Sequence, residues 1–202
     1  MLRYRALLVL LAVLALASGC AVDLSGSPRG SAPAPQSAPA GGESAPAEEQ
    51  IARAVFDRVN DEREARGLAP VSWNDALAGV AREWSAEMAA TGTFEHQDIG
   101  QVLRREELAG FRAMGENIFR ATGPVPAGTI HAGWMRSDSH RVNVLNPGWD
   151  RLGVGVVCAD DGSVWATQEF GRTAGADLPA VASTTPPAEP VVRPEDDGPS
   201  CG

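Results

Sequence analysis

The sequence predicts an α+β domain in which several helices precede a small antiparallel sheet. Helical periodicity marks the first half of the folded region, where apolar residues recur at Ile51, Val55 and Val59. A hairpin pattern follows towards the C-terminus, because two apolar runs, RLGVGVVC and VWATQEFG, flank the turn signal ADDGS. Since each element has an apolar side to bury, we expect the helices to pack on the sheet.

The predicted elements follow one another in a simple order. The first helix, EEQIARAVFDRVNDEREARG, ends at Gly67, and the second runs from the N-cap residue Asn74 to about Thr91. A third, shorter helix is predicted in IGQVLRREELAG, and MGENIFRA is interpreted as a strand. The fourth helix, PAGTIHAGWMRSDSH, has Pro126 near its first turn and leads towards the hairpin.

Residues 1–19 have the three parts of a bacterial secretory signal peptide. Arg3 and Arg5 precede a run of Leu, Ala and Val, and small residues end that run. The run is short for a membrane-spanning helix. Its ending, LASGC, is similar to a lipobox, which implies a lipid on Cys20 and attachment of the mature protein to a membrane surface. The alternative is a plain signal peptide in which Cys20 has no role.

Two segments have compositions that predict disorder. Residues 20–47 are rich in Ala, Pro, Ser and Gly, which predicts a flexible tether. Residues 173–202 are rich in proline and acidic residues, which predicts a disordered tail. The folded domain is therefore expected to span residues 48–172.

Charge and cysteine content limit the functions to consider. A net charge of −9 makes nucleic acid an unsuitable partner. Once Cys20 is assigned to the lipid, Cys158 and Cys201 remain, and outside the cell such a pair can form a disulfide. The alternative is an inert buried thiol at Cys158 and a free thiol in the tail.

Local spacing alone assigns no catalytic or metal centre. The three histidines, His96, His131 and His140, lie far apart, and the sequence has no H-E-x-x-H, C-x-x-C or G-x-S-x-G motif. Isolated histidines of this kind are usually solvent-exposed or cap helices. We expect His131 in particular at the surface.

The order of the motifs changes the interpretation of the other two histidines. FEH, GENI, HAGWMRSDSHRVNVL, LGVGV and WATQEFG resemble, in this order, the CAP superfamily of cysteine-rich secretory proteins, antigen 5 and pathogenesis-related 1 proteins, and especially its bacterial SCP-like branch. The resemblance covers about residues 48–172. It implies an α-β-α sandwich, with a central antiparallel sheet between helical layers, and a cleft that gathers two histidines and acidic residues.

Matched motif by motif, the resemblance assigns His96, Glu116 and His140 to the cleft. The family's second glutamate would stand near Ser137, where this chain departs from the pattern. Gln168 belongs to a strand that borders the cleft in the family. It either lines the cleft or makes hydrogen bonds in the core or at the sheet edge.

The resemblance implies a binding function for the cleft. His96 and His140 would bind a divalent metal, with Zn²⁺ as the expected ion and Glu116 as a third ligand or an orienting group. A small or lipid-like ligand is the other expectation. Two alternatives stay open, namely metal-assisted hydrolysis of a peptide or cell-wall component with Glu116 as general base, and an extracellular scaffold that docks proteins.

The expected location and partners follow from the leader and the family. We expect an exported lipoprotein at the cell surface or in the periplasm, held to the membrane by the lipid on Cys20. A soluble secreted protein is the alternative. The partner would be a small ligand or another extracellular protein, and the sequence leaves open whether the protein is an enzyme.

Overall fold

The computed structural model describes residues 44–180, residue 186 and residues 193–202, with side chains from residue 47 onward. Within these residues the helices are α1 Ser44–Ala65, α2 Asp75–Thr91, α3 Ile99–Val102, a 3-10 helix Glu106–Leu108, α4 Ala127–Arg136 and α5 Asp138–Val144. The strands are β1 Ser72–Trp73, β2 Phe111–Ala121, β3 Arg151–Cys158 and β4 Val164–Thr173. The predicted signal peptide, Cys20 and most of the predicted tether lie outside the described residues.

The strands form one sheet in the order β1-β3-β4-β2. β3 and β4 are the predicted antiparallel hairpin, and its turn contains Gly162 with a φ of 81°, a conformation that favours glycine. β2 pairs antiparallel with the other side of β4. β1 adds a parallel edge of two residues next to β3. The predicted antiparallel sheet is confirmed, with a short parallel edge in addition.

Helix α2 covers one face of the sheet at very short range. A Cβ on Gly153 would lie 2.1 Å from the backbone nitrogen of Ala78, and a Cβ on Gly155 would lie 2.0 Å from that of Arg82. Only glycine therefore lets the helix backbone approach the strand so closely. The hydroxyl of Ser85 adds a hydrogen bond of 3.2 Å to the carbonyl of Gly155.

The opposite face of the sheet carries the main apolar core. Val154 and Val156 point into it from β3 and pack in one cluster with Ile51 and Val55 of α1 and with Trp134 of α4. Each fully buried large apolar side chain contributes about 1.5–3 kcal/mol to folding. With α2 on one side and α1 and α4 on the other, the fold is the predicted α-β-α sandwich.

Two predicted helices are broken in the structure. IGQVLRREELAG forms the four-residue α3 and the separate 3-10 helix. The predicted fourth helix becomes α4 and α5, because Ser137 between them has an extended backbone (φ −91°, ψ 122°). Arg141 fills the corner, where its guanidinium donates to the carbonyl of Met135 at 2.8 Å and to Asp138 Oδ1 at 2.5 Å. These contacts stabilise the break between α4 and α5.

The end of the chain corrects the prediction of a tail that is disordered from residue 173. β4 itself extends to Thr173, and residues 193–202 pack against α1 and α4. The buried Arg58 donates to the carbonyl of Asp197 at 2.9 Å, and the amide of Ala127 donates to the carbonyl of Pro199 at 2.9 Å. Tail carbonyls thus accept hydrogen bonds from the first amides of α4, which have no partner within the helix. This stabilising contact cannot be seen in the composition of the tail.

A disulfide fixes the tail to the domain. Cys158, the last residue of β3, is bonded to Cys201, with 5.7 Å between their Cα atoms. Cys201 is buried in the main core cluster. The structure therefore contains the paired form of these cysteines and not the alternative of two thiols. Closing a loop of 43 residues stabilises the folded state by about 4 kcal/mol in the chain-entropy model.

We expect Cys201→Ser to lower the free energy of unfolding by about 2–4 kcal/mol, because the tail then caps α4 without a covalent link. Urea denaturation of the two proteins measures the difference. A reductant should lower the stability of the wild type to that of the variant and leave the variant unchanged. Equal stability of oxidised and reduced wild type would contradict the expected contribution of the disulfide.

Candidate functional site

The site is centred on His96, which lies in the segment that follows α2. Gly92 ends that helix in the left-handed conformation, with a φ of 70°, and the chain then leads through α3 and the 3-10 helix to β2. The Nδ1 atom of His96 lies 2.6 Å from Oε1 of Glu116. The Glu116 side chain is 2% exposed, whereas the imidazole is 56% exposed. A buried carboxylate thus orients an imidazole whose Nε2 edge is directed away from it.

Gln97 holds the same carboxylate from a second direction. Its backbone amide donates to Oε1 of Glu116 at 3.1 Å, and its side-chain amide donates to Oε2 at 2.9 Å. Both oxygens of Glu116 are therefore engaged. The side-chain amide of Gln97 also donates to Oε1 of Glu169 at 2.7 Å and links the two carboxyl groups.

Glu169 is the second acidic residue of the site, and it was not among the site residues predicted from the sequence. It is the cross-strand partner of Glu116 and is completely buried. Burial, the charge of Glu116 and a hydrogen bond with Glu116 raise the pKa of Glu169 well above its usual range. These effects favour the neutral, protonated form of the Glu169 carboxyl group. Ser137, near which the family pattern places the second glutamate, instead has its hydroxyl 3.1 Å from the hydroxyl of Ser139.

His140 approaches the site from the other face of the sheet. It belongs to α5, which two asparagines tie to β2. The amide of Asn117 donates to the carbonyl of His140 at 3.1 Å, and the amide of Asn143 donates to the carbonyl of Glu116 at 3.1 Å. Burial, and then the nearby charge of His96, lower the pKa of His140, so its imidazole is neutral. His96 and His140 thus flank the outer edge of β2 near Glu116.

Gln168 lies in the core behind the site. It is completely buried, and its Oε1 accepts a hydrogen bond of 3.0 Å from Asn117. Asn117 in turn accepts a bond of 2.9 Å from Asn143. Of the two interpretations of Gln168, the structure therefore has the hydrogen-bonded core residue. The chain of three amides connects α5 with β2 and β4.

The third histidine lies outside the site and not at the surface as expected. His131 is 1% exposed, and its Nε2 lies 3.8 Å from Oε1 of Glu62 on α1. Burial lowers the pKa of His131 and keeps the imidazole neutral. The expectation was wrong because His131 lies on the core side of α4, next to Ile130 and Trp134.

The donor atoms permit a simple test of the predicted zinc site. The described part of the chain contains no group of three or more His, Cys, Asp or Glu side chains placed to hold a metal ion. Glu116 is occupied by His96 and Gln97, so the imidazoles of His96 and His140 are the ligands that remain. Two imidazoles suit zinc, and a carboxylate behind a ligating histidine is a usual supporting group. The ligands left are therefore two imidazoles, one fewer than the three protein ligands of a usual catalytic zinc site.

Comparison with known proteins identifies the family. A family model described as the cysteine-rich secretory protein family, CAP, matches residues 56–170. The chain belongs to this family. The motifs that carry His96, Glu116 and His140 all lie within the matched segment. The resemblance inferred from the sequence is thereby confirmed, and the sandwich described above is the CAP fold.

Bacterial proteins are among the relatives of this CAP domain. The chain is 34% identical over 122 residues to the uncharacterized protein YkwD of Bacillus subtilis (strain 168), across 58% of this chain and 46% of that protein. It is 34% identical over 106 residues to the uncharacterized membrane protein YlbC of the same organism, across 50% of this chain and 30% of that protein. The chain thus spans less than half the length of either relative.

Solved structures agree with the family assignment. An extracellular protein containing a SCP domain, from Bacillus anthracis str. Ames, is similar with a TM-score of 0.53 and 30% identity, across 62% of this chain and 41% of that one. A cysteine-rich secretory protein from Staphylococcus aureus subsp. aureus Mu50 has a TM-score of 0.52 and 25% identity, across 62% and 40%. In the CAP domain itself, within the described residues, no helix has the length and apolar character needed to cross a membrane.

The neutral state of Glu169 leads to a prediction about pH. Because folding raises the pKa of this group, its contribution to stability is full below the usual glutamate value and is lost as pH rises through the raised pKa. We expect Glu169→Gln to be about 1 kcal/mol or more stable than wild type at about pH 8, and to match it closely at about pH 5. Urea unfolding at both pH values measures this.

The matched control for this experiment is Glu64→Gln, which changes an exposed glutamate on α1. It should follow the wild type at both pH values. If Glu169→Gln and wild type had parallel stability profiles across this range, Glu169 would be ionised in the folded protein and the assignment of a neutral acid would be wrong.

Proposed function

We propose that the protein is an exported, surface-attached CAP domain that binds a ligand in the cleft between His96 and His140. The signal-peptide pattern of residues 1–19 and the lipobox-like ending at Cys20 support export and attachment by a lipid. The ligand we propose is a divalent metal, with Zn²⁺ as the favoured ion. Bound zinc would supply a Lewis-acid centre with open positions for a small ligand.

The pairing of His96 with Glu116 is the observation that supports this proposal most. An exposed imidazole normally samples several rotamers, but here a buried carboxylate 2.6 Å away fixes the ring and its tautomer. Nδ1 then faces Glu116, and Nε2 is the ring nitrogen that remains for a ligand. His140 supplies a neutral imidazole, because burial lowers its pKa. Glu116 has the role of an orienting group, since both of its oxygens are engaged.

Isothermal titration of metal-stripped protein with zinc tests the proposal. The mature chain would carry Cys20→Ala so that no lipid is attached. We expect binding of one zinc ion by the wild type and none by the His96→Ala/His140→Ala double variant. Glu116→Gln should weaken zinc binding by about 10–100-fold, as expected for a group that orients a ligand. Glu64→Gln is the matched control and should bind as the wild type does.

Either of two results would contradict the metal proposal, namely unchanged zinc affinity in the double variant or no binding by the wild type. The second result would leave a small or lipid-like ligand as the occupant of the cleft. A large loss of stability in Glu116→Ala, without any effect on a ligand, would favour the scaffold that docks proteins. In that case the buried polar groups serve only to join the helices to the sheet.

Hydrolysis is the second candidate, and the paired carboxyl groups favour it. Burial raises the pKa of Glu169, which is the cross-strand partner of Glu116, so one site holds two carboxyl groups in different environments, as acid–base enzymes require. Both groups are buried, however, and Glu116 is fully engaged, which favours binding over turnover. Cleavage of a peptide or peptidoglycan substrate by purified protein, abolished in Glu116→Gln, would establish the hydrolase. No turnover would exclude the substrates tested.

A further inference from the structure

The C-terminal segment contacts the first turn of α4 through its backbone. Residues 193–202, called the strap from here on, place carbonyl groups at the start of this helix. The carbonyl of Asp197 accepts from the amide of Gly128 at 2.9 Å, and the carbonyl of Glu195 accepts from the hydroxyl of Thr129 at 3.0 Å. The strap therefore supplies acceptors to groups that have none within the helix.

Arg58 of α1 contacts the strap from a second side. The residue is 2% exposed, and its guanidinium donates to the carbonyls of Pro194 at 3.0 Å and Asp197 at 2.9 Å. It also lies 3.3 Å from Oδ2 of Asp197. Within the described part of the chain, the Nε atom of Arg58 has no hydrogen-bond partner, so the strap provides the acceptors for this buried cation. Without the strap the guanidinium would have lost them.

Gly128 lets the strap come this close to α4. The three atoms nearest to a Cβ placed on this residue would be strap carbonyl oxygens at 2.5–2.8 Å, namely those of Glu195, Pro194 and Asp197. A larger residue at this position would therefore push the strap off the helix. Alanine is the better helix former, so the glycine serves the contact with the strap and not the stability of α4.

The strap buries almost none of its own side chains. Cys201 is its one buried residue, at 6% exposure, and the other residues of the strap are half-buried or exposed. Ordering a segment costs conformational entropy at every residue, and its hydrogen bonds replace bonds to water. The disulfide between Cys158 and Cys201 is therefore the link that keeps the strap on α1 and α4.

A pocket gives solvent molecules access to this disulfide. Cys158 is half-buried, and a cavity of about 300 Å³ is lined by both cysteines together with Pro124 and Gly162. A thiolate of a dithiol reductant attacks one sulfur atom and forms a mixed disulfide, and the second thiol of the reductant then displaces the bound cysteine. Two electrons and two protons pass from the dithiol to Cys158 and Cys201, and the reductant leaves as a disulfide.

The C-terminal segment also contacts the two helices that lead to His140. Glu195 of the strap forms an ion pair with Arg136, the last residue of α4. Before the strap, the carbonyl of Pro186 accepts from Nε of Arg141 at 2.9 Å. Arg141 follows His140 directly in α5. Both α4 and α5 are therefore attached to the C-terminal segment, and His140 is carried by the second of them.

We propose that the strap regulates the histidine cleft, and that the Cys158–Cys201 disulfide locks it and a dithiol reductant releases it. The locked strap holds α4 and α5 and thereby keeps His140 in place for a ligand shared with His96. On release, the first amides of α4 lose their acceptors, α5 gains freedom, and the cleft binds its ligand more weakly. The effect on zinc rests on the function proposed above, whereas the effect on the position of His140 does not.

Hydrogen exchange tests release of the strap, on the complete mature chain with Cys20→Ala. Dithiothreitol should accelerate exchange of the Ala127 and Gly128 amides at least about tenfold more than exchange of the Gly92 amide, which is bonded within α2 and is remote from the strap in sequence. A Cys158→Ser/Cys201→Ser double variant should exchange like the reduced protein and should not respond to dithiothreitol. Unchanged exchange, or equal acceleration of all three amides, would overturn the proposal.

Gly128→Ala tests whether the strap controls the cleft, because the added Cβ displaces the strap while the disulfide stays closed. We expect the imidazole NMR signals of His140 to shift relative to those of the wild type. Gly79→Ala is the matched control, since it makes the same change inside a helix at a position where a Cβ meets no atom within 4 Å. It should leave the His140 signals unchanged. Unchanged His140 signals in Gly128→Ala would overturn the proposal.

Zinc titration of the same proteins measures the effect on the ligand. Gly128→Ala and the Cys158→Ser/Cys201→Ser variant should bind zinc at least about tenfold more weakly than the oxidised wild type, and Gly79→Ala should bind like the wild type. The serine variant replaces chemical reduction here, because thiols themselves bind zinc. Equal zinc affinity in all four proteins would overturn the proposed regulation. Absence of zinc binding by the wild type would contradict the metal function alone, and the His140 signals would then decide on the strap.

Discussion

Helix α2 lies directly on the backbone of β3, at two glycines where a Cβ would come within 2.1 and 2.0 Å of helix atoms. This close approach sets the position of both ends of the helix relative to the sheet. At its C-terminal end, the chain leaves Gly92 and delivers His96 and Gln97 to Glu116. At its N-terminal end, the side chain of Asn74 caps the helix directly after β1. Larger residues at Gly153 and Gly155 would push the helix away from the sheet and move His96 and Gln97 away from Glu116.

Each edge strand of the sheet has outward backbone groups without a neighbouring strand, and the two edges satisfy these groups in different ways. At β2, side chains of the helices satisfy the outward carbonyls, since Asn143 donates to Glu116 and Trp134 donates to Ile118. That edge is closed by specific hydrogen bonds and presents imidazoles to the solvent. At β3 the carboxylate of Glu48 accepts a hydrogen bond from the amide of Cys158, and β1 covers the positions of Arg151 and Leu152.

Much of the fold and part of the site could be predicted from the sequence. Periodicity predicted α1, α2 and the hairpin, because these elements bury one apolar face. The motifs assigned His96, Glu116 and His140, which the structure brings to one edge of β2. Glu169 could not be found in this way. Glu169 lies beside Glu116 only because of the register between β2 and β4. Within the sequence it stands in an apolar strand, and nothing there indicates that it faces another acid.

The remaining differences have a common physical cause, which is satisfaction of backbone groups by distant residues. At the C-terminal end of α4, Arg141 donates to the carbonyl of Met135. At its N-terminal end, tail carbonyls accept from the first amides of the helix, and Arg58 holds the tail in place. Neither set of contacts is visible in the local sequence. Composition predicted a disordered tail because it measures apolar content. Apolar content gives no information on backbone carbonyls that cap a helix. It also gives no information on Cys201, which is buried in the core and bonded to Cys158.

Cys158 joins three parts of the chain that are far apart in sequence. Its amide is bonded to Glu48 near the start of α1, its backbone ends β3, and its sulfur is bonded to Cys201. A mechanical load applied at the start of α1 would therefore reach both the sheet and the C-terminal segment through Cys158, in addition to the path through the core. Because the disulfide is covalent, part of the load would pass to the C-terminal segment. The hydrogen bonds between β3 and β4 would then carry less of the load.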